Sequence, residues 1–266
     1  MPASSPSIPG TRMSITIRSQ AVAPAMSPRS ITWAMPGMAL IGVRISWLMR
    51  PDGTSLEGAA KPLKNRQKKP IIRPLMRIEN LRQRLADLGA KPVHVQRILR
   101  AWTHALPLDA GPTRRGPMLP QPVLDALPAI SAELAGLARL RSEHPADDGS
   151  ARLLVELPDG QTIESVLLPR DGLCVSSQVG CAVGCVFCMT GRDGLLRQVG
   201  SAEIVAQVVL ARQQRPVKKV VFMGMGEPAH NLENVIEAIQ LLGTEGGIGH
   251  KNLVFSTVGD PRVFEQ

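Results

Sequence analysis

The 266-residue sequence predicts an α/β protein in which a small helical region and a β-hairpin precede a parallel sheet of strand–helix units. Three observations carry this. Apolar residues between 78 and 102 recur at three- and four-residue spacing. Those between 153 and 167 alternate around a Pro-Asp-Gly turn. Beyond residue 200, helical periods alternate with short β-branched runs over short connections, the pattern of a sheet built from parallel βα units.

The first 75 residues stand apart. Residues 1–50 hold no Asp, Glu or Lys and are rich in Ser, Pro, Met and Arg, and no helical or strand period persists in them. Three readings compete. One is an Arg- and Ser-rich targeting peptide. Another is a membrane span over residues 31–49, which Pro36 and Arg44 interrupt. The third, which the composition favours, is an extension without function, disordered or absent from the native protein. The run Lys64-Asn65-Arg66-Gln67-Lys68-Lys69 reads as a solvated tail.

Ordinary folded sequence begins near Met76. Ile78, Leu81, Leu85 and Leu88 predict a helix ending at Gly89. A second follows Lys91-Pro92, with Val95, Ile98, Leu99 and Trp102 on one face. Residues 124–140 read as further helix, kinked or restarted at Pro128. In the hairpin, Leu153, Val155 and Leu157 precede the turn at Pro158-Asp159-Gly160, and Ile163, Ser165 and Leu167 follow it. Residues 201–212 predict a helix capped by Ser201 with Glu203 in its first turn. Strands are expected over 218–223 and 253–256, with a helix over 231–242 between them. The expected divisions are 1–75, a helical domain over 76–147, and the hairpin with a partial barrel over 148–266.

Charge sets a limit on function. The net charge of +9 suggests nucleic acid, but the first 75 residues carry eleven basic and two acidic side chains, leaving residues 76–266 balanced at twenty of each. Composition alone therefore gives the folded part no reason to bind RNA, although a local basic face is compatible with it. All four cysteines fall between 174 and 188. A disulfide framework would scatter them, so the cluster points to a metal site in a reducing compartment, the cytoplasm.

The segment from Leu173 to Cys188 holds Cys181, Cys185 and Cys188 at spacing C-x3-C-x2-C. Three thiolates on one tight loop suit one cubane iron–sulfur cluster, leaving its fourth iron without a protein ligand. Gly180 and Gly184 relieve crowding where such a loop wraps the cluster. Zinc is the rival, but a structural zinc needs four ligands, and His104, His144, His230 and His250 have no paired spacing with the loop.

With Phe187 as the aromatic before the last cysteine, this loop resembles the signature of radical S-adenosylmethionine (radical SAM) enzymes. The surrounding words, Leu173-Cys174-Val175-Ser176-Ser177-Gln178-Val179-Gly180-Cys181, Gly224-Met225-Gly226-Glu227-Pro228 and Ser256-Thr257, are similar to the RlmN/Cfr-type RNA methyltransferases. The similarity runs from about Met76 to the C-terminus and is strongest over 163–231. It implies a partial radical-SAM (β/α) barrel and methylation of an adenine ring carbon in ribosomal RNA, with transfer RNA a further substrate of some members. It implies a 4Fe-4S cluster on Cys181, Cys185 and Cys188. It implies S-adenosyl-L-methionine held at Gly226, Glu227 and Ser256, a carboxylate for proton handling at Glu164, and an electron donor such as flavodoxin or ferredoxin. A monomer without a membrane anchor is expected.

The resemblance also gives Cys174 a role. In the family a late cysteine carries a methyl group, and a cysteine at the position of Cys174 resolves the enzyme–RNA adduct by forming a disulfide. Here no cysteine follows Cys188, Ala229-His230 stands where an apolar pair is usual, and Val258-Gly259-Asp260 stands where Ser-Gly is usual. The expectation is a divergent chain, incomplete at its C-terminus, that binds a cluster but does not itself methylate RNA. The alternatives are another radical SAM enzyme with a small-molecule substrate, or a non-catalytic iron–sulfur or zinc protein. Because residues 1–75 hold the charge excess and lack an apolar period, they cannot offset their own ordering entropy. A chain starting at Met76 is expected to melt at the same temperature as the whole, and a large drop would show that the extension supports the fold.

Overall fold

The computed structural model describes residues 76–110, 118–260 and 263; the expectations for residues 1–75 lie outside the described residues. Three helices open the described chain: α1 (Ile78–Asp87), α2 (Pro92–Thr103) and α3 (Gln121–Ala135). In α1 and α2 every apolar residue that the periodicity turned inward is buried except Leu88, which packs partly against the core. Gly89 ends the first helix with φ +82°, a conformation that favours glycine.

The reading of residues 124–140 needs correction. Helix α3 runs through Pro128 without a restart and stops at Ala135. Arg139–Pro145 is a strand, β1, paired antiparallel with β2 (Ala151–Glu156). Its seven residues are half-buried or exposed throughout, so it has no apolar alternation to betray it. The turn after it contains the boundary placed at 147/148. The hairpin of β2 and β3 (Thr162–Leu168) forms as expected, with Leu153, Val155, Ile163, Ser165 and Leu167 on the core side.

Beyond the hairpin lie β4 (Gly172–Val175), β5 (Gln178–Gly180), β6 (Leu195–Gln198), α4 (Ser201–Arg212), β7 (Lys219–Phe222), α5 (Leu232–Thr244) and β8 (Leu253–Phe255). The six-stranded sheet has the order β1-β2-β3-β4-β7-β8, antiparallel as far as β4 and parallel from β4 through β7 to β8. This is the expected α/β architecture with a parallel segment. Strands β5 and β6 form a separate antiparallel pair. Among the described residues, no helix is long and apolar enough to cross a membrane.

Helix α4 is the keystone of this arrangement. Nearly all of its residues are buried, because it packs against β4 while α2 and α5 also lie against it. Its sequence, SAEIVAQVVLAR, has no continuous polar face to offer water. The N-cap is Gly200 rather than Ser201. The Ser201 hydroxyl instead accepts a hydrogen bond from the Ile78 N–H at 2.9 Å, tying α1 to the start of α4. Glu203 takes the reciprocal capping position, accepting from the Gly200 N–H at 2.7 Å.

Buried Gln207 joins α4 to the sheet. Its carbonyl oxygen accepts from the Ser165 hydroxyl at 2.8 Å and the Ser176 N–H at 2.9 Å, and its amide donates to the Ser176 carbonyl at 2.9 Å. Substituting Gln207→Leu leaves these groups unpaired in the core and is expected to cost about 2–4 kcal/mol. Urea denaturation checks this, and a loss below ~1 kcal/mol would contradict the role given to the amide.

Candidate functional site

Parallel strands deliver their loops to one edge of the sheet, at the strands' C-terminal ends. Here that edge gathers Ser176-Ser177 after β4, residues 223–227 after β7, and Ser256-Thr257-Val258 after β8. Most of the residues expected from the sequence to form the site lie on or beside it.

The β7 loop is laid onto the chain leaving β4. The Gly224 N–H donates to the Val175 carbonyl at 3.0 Å, and the N–H groups of Ser177 and Gln178 donate to the Met225 carbonyl at 2.9 and 3.1 Å. The Met225 N–H donates to the Ser176 hydroxyl at 2.8 Å. Gly226 has φ +98°, and a Cβ there would collide with the Gln178 side chain and lie 2.8 Å from its backbone nitrogen. The position therefore demands glycine twice over, by conformation and by space.

Glu227 is 4% exposed. One carboxylate oxygen accepts from the Ala229 N–H and the other from the Val258 N–H, each at 3.0 Å. It thus ties the β7 loop to the β8 loop while each oxygen keeps a further lone pair. A second tie lies beside it, His230 Nε2 to Asp260 Oδ2 at 3.1 Å. Ser256 follows β8 directly and is half-buried, and its N–H donates to the Phe222 carbonyl at 3.4 Å.

The cysteine loop is framed by β5 and β6. Gly180 closes the frame with φ +76°, where a Cβ would strike the Gly194 carbonyl. The Cys181 N–H donates to that same carbonyl at 3.0 Å. Cys181 and Cys185 are half-buried and Cys188 is exposed. Partial burial, and then the charges of Cys181, Cys188 and Glu227, push the Cys185 thiol above its ordinary value. Cys185 is therefore within electrostatic reach of the other two cysteines and of Glu227. Among the described residues, no three His, Cys, Asp or Glu side chains are gathered into a coordination shell. The donors fit an iron–sulfur cluster in kind and in their common loop, but their sulfurs stand short of a closed site. Val186, Phe187 and Met189, between and beside the cysteines, are largely exposed.

Cys174 lies not in that loop but in the middle of β4, paired with Val166 of β3 and Val221 of β7. The run Gly172-Leu173-Cys174-Val175 is buried throughout, as expected of a short strand inside a sheet. Leu173 and Val175 join the hydrophobic core, whereas Cys174 and Val221 do not. By strand alternation the latter two face away from α4, with Glu164, Met223 and Ser256 on the same face one row nearer the loop edge. Glu164 is half-exposed and pairs with Arg152 at 3.2 Å. Its backbone N–H donates to the Met225 sulfur at 3.3 Å.

Several residues of this edge went unmarked in the sequence. Gln178 accepts from the Glu227 N–H at 2.8 Å and donates to Gln198 at 2.9 Å. Gln198 in turn donates to the His230 carbonyl at 2.8 Å. Buried Asn231 donates to the carbonyls of Ser177 and Val199, both at 2.7 Å. Arg197, on the return limb of the cysteine loop, forks onto both oxygens of Glu203 at 2.9 and 3.0 Å and also reaches Asp159. Burial alone would raise the Asp159 pKa, but the Arg197 hydrogen bond and charge outweigh it and hold the carboxyl below its ordinary value. Only the capping position of Glu203 had a local signal.

Comparison with known proteins agrees with this geometry. The radical SAM superfamily model matches residues 175–264. A probable RNA methyltransferase of Leptothrix cholodnii is 77% identical over 191 residues, covering 72% of this chain and 55% of the relative. Another from Pseudomonas aeruginosa is 73% identical over 193 residues, covering 72% and 56%. The crystal structure of a radical SAM methyltransferase from Sphaerobacter thermophilus aligns with a TM-score of 0.53 at 32% identity, covering 68% of this chain and 55% of that one. Fold and loop edge thus define a radical SAM domain. The chain is similar to radical SAM RNA methyltransferases, and it spans about half the length of the curated relatives it matches.

Burial pushes the Cys174 thiol from 9.0 up to about 11. Between these values the unfolded chain has lost the proton while the native state keeps it, so stability falls as pH rises through the interval. Wild type is expected to lose about 2 kcal/mol more than Cys174→Ala between pH 8.5 and 11. Urea midpoints for the two proteins give the difference, and parallel pH profiles would show that the thiol is not held protonated.

Proposed function

We propose that this chain forms the cluster- and SAM-binding part of an RNA methyltransferase that modifies an adenine ring carbon in ribosomal RNA, and in transfer RNA where the target loop permits. The observation that carries the reading is the packing of the Gly226-Glu227 turn onto Gln178 of β5, the strand that leads into the three-cysteine loop, at the C-terminal edge of parallel strands. A cation bound at the loop would favour the thiolate form of Cys185, which burial and its neighbours now disfavour. Cys181, Cys185 and Cys188 would hold the 4Fe-4S cluster, which supplies the electron for reductive cleavage of S-adenosylmethionine.

The chain's own residues prepare the rest. Gly226 lets backbone approach the ligand, and the free lone pairs of Glu227 can accept from its ammonium group. Ser256, at the end of β8, offers a hydroxyl on the same edge. Cys174 is assigned the resolving thiol: burial keeps it protonated until its partner sulfur is presented, and protonated it does not compete as a nucleophile. Glu164, on the same face of the sheet, is assigned proton transfer to or from the adenine ring. The proposed reaction needs a second thiol to carry the methyl group, and Cys174 is the one cysteine outside the signature loop. A flavodoxin or ferredoxin as electron donor, a monomeric state and a cytoplasmic setting complete the proposal.

Anaerobic reconstitution with iron and sulfide tests the cluster assignment. Replacing Cys181, Cys185 or Cys188 with Ala should abolish bound iron, because three thiolates leave no spare ligand. Replacing Cys174 should leave the iron content unchanged. Full iron in the Cys185 variant would overturn the assignment. For the substrate, a hybrid in which this chain replaces its matching segment in the full-length Leptothrix relative is incubated with methyl-labelled S-adenosylmethionine, a reductant and unmodified ribosomal RNA. Label is expected on adenosine after digestion. Cleavage of S-adenosylmethionine with no label in RNA would favour a small-molecule substrate instead.

A further inference from the structure

The loop edge of the sheet has an opposite pole, where α2 and α4 end and β7 begins. A cleft of about 460 Å³ opens there, lined by His104, Arg212, Gln214, Arg215, Lys218 and two apolar neighbours. Among the described residues, no carboxylate lines it. The balanced charge of residues 76–266 therefore hides a local segregation of sign.

The two guanidinium groups are fixed by neutral partners. Arg212 donates to the carbonyls of Thr103, Val217 and Gly246, the last two at 3.1 and 2.8 Å. Arg215 donates to the carbonyls of Gly149 and Leu168 at 3.1 and 2.8 Å. Carbonyls hold a cation in place without cancelling its charge. Burial lowers the Arg212 pKa and no carboxylate opposes it, which agrees with an uncompensated charge. Arg215 spends two of its N–H groups on these bonds and has others left for a ligand.

The acids nearby are engaged elsewhere or accessible to water. Asp171 pairs with Lys218 at 2.7 Å, but that lysine side chain is 74% exposed, and a surface pair of this kind exchanges partners readily. Glu245 is buried and directed at Arg100, 3.6 Å away. The C-terminal ends of α2 and α4 oppose an anion here. Each carries about half a negative charge, partly capped, against two carbonyl-held guanidiniums and the Asp171-paired Lys218.

We propose that this cleft docks the phosphodiester backbone of the RNA substrate, positioning it by phosphate contacts that carry no sequence information. The inference rests on the RNA reading given above and adds where the RNA is held. Fixed guanidiniums suit phosphate oxygens in geometry as well as charge. The parallel strands between cleft and loop edge are about four residues long, or roughly 13 Å. A folded RNA can therefore meet both poles at once.

The test uses the double variant Lys218→Gln with Gln214→Glu, which removes one cation, adds one carboxylate and leaves both arginines and their carbonyl partners in place. Fluorescence anisotropy with a labelled ribosomal RNA hairpin is measured across a salt series. The variant is expected to bind about tenfold more weakly near 0.1 M salt, with the slope of log affinity against log salt reduced by about 1. Melting temperature and reconstituted iron should match wild type. Equal affinity and slope in the two proteins overturns the cleft assignment while leaving the RNA reading intact. Failure of wild type itself to bind RNA removes the substrate reading, and the docking proposal with it. Saturable binding of inorganic phosphate alone, lost in the variant while RNA affinity is unchanged, would assign the cleft to a free phosphate and overturn the RNA occupant.

Discussion

Beyond Val175 and Phe222 the chain leaves the parallel sheet, yet residues 176–180 and 227–229 are buried and their polar groups still need partners. The rest of the site depends on how this constraint is met. Side-chain amides and one carboxylate finish the ladder that the strands abandon. Gln207 serves Ser176, Asn231 serves Ser177 and Val199, Gln178 serves Glu227, and Glu227 serves Ala229 and Val258. Each such bond is worth about 1 kcal/mol when made and more when one partner is lost. The network is therefore weak in its single bonds and strong as a constraint on loop shape.

Glu227 shows how structural and proposed chemical roles coexist. As a strut it binds two backbone N–H groups, one from each of two loops. Those bonds fix where its remaining lone pairs point, so the group assigned to a ligand ammonium is already oriented by the fold. Arg197 does the equivalent for the cysteine loop. Its fork onto buried Glu203 and its reach to Asp159 fasten the loop's return strand to the start of α4 and to the β2–β3 turn. The fastening holds the base of the cysteine loop to the body of the fold.

How much of this was legible follows from the range of each signal. Helices α1, α2, α4 and α5 announce themselves because an apolar face or an apolar body has a local period. Strand β1 does not, since its solvent-facing sequence RLRSEHP is set by pairing with β2 rather than by burial. Spacing along the chain separates Cys174 from the three signature cysteines but does not say what element holds it. The buried run Gly172-Leu173-Cys174-Val175 marks it as a strand residue instead. The cysteine loop and the Gly226-Glu227 turn were legible because their chemistry is carried by residue type at fixed spacing. The amides of Gln178, Asn231 and Gln207 were not, because a Gln or Asn looks alike in sequence whether it faces water or completes a buried ladder.

Charge gives the last example of the same limit, and it explains why the two poles of one sheet differ. Composition reports a sum, and for residues 76–266 that sum is zero. Folding separates what the sum combines. At the loop edge, acids and thiols converge: Glu227, Cys185 and their neighbours raise the cost of further negative charge. At the opposite pole, helices α2 and α4 end and present carbonyls without helical partners. Arginine can satisfy several free carbonyls at once: Arg212 takes that of Thr103 at the end of α2 with those of Val217 and Gly246, and Arg215 takes those of Gly149 and Leu168. Their first task is thus to finish the fold. The positive potential of the cleft is a consequence of that task and needs no further ordering of side chains, since the entropy of fixing them is already spent on the carbonyls. A polyanion meeting this surface finds its cationic partners pre-set, about one strand length from the edge where the chemistry is proposed to occur.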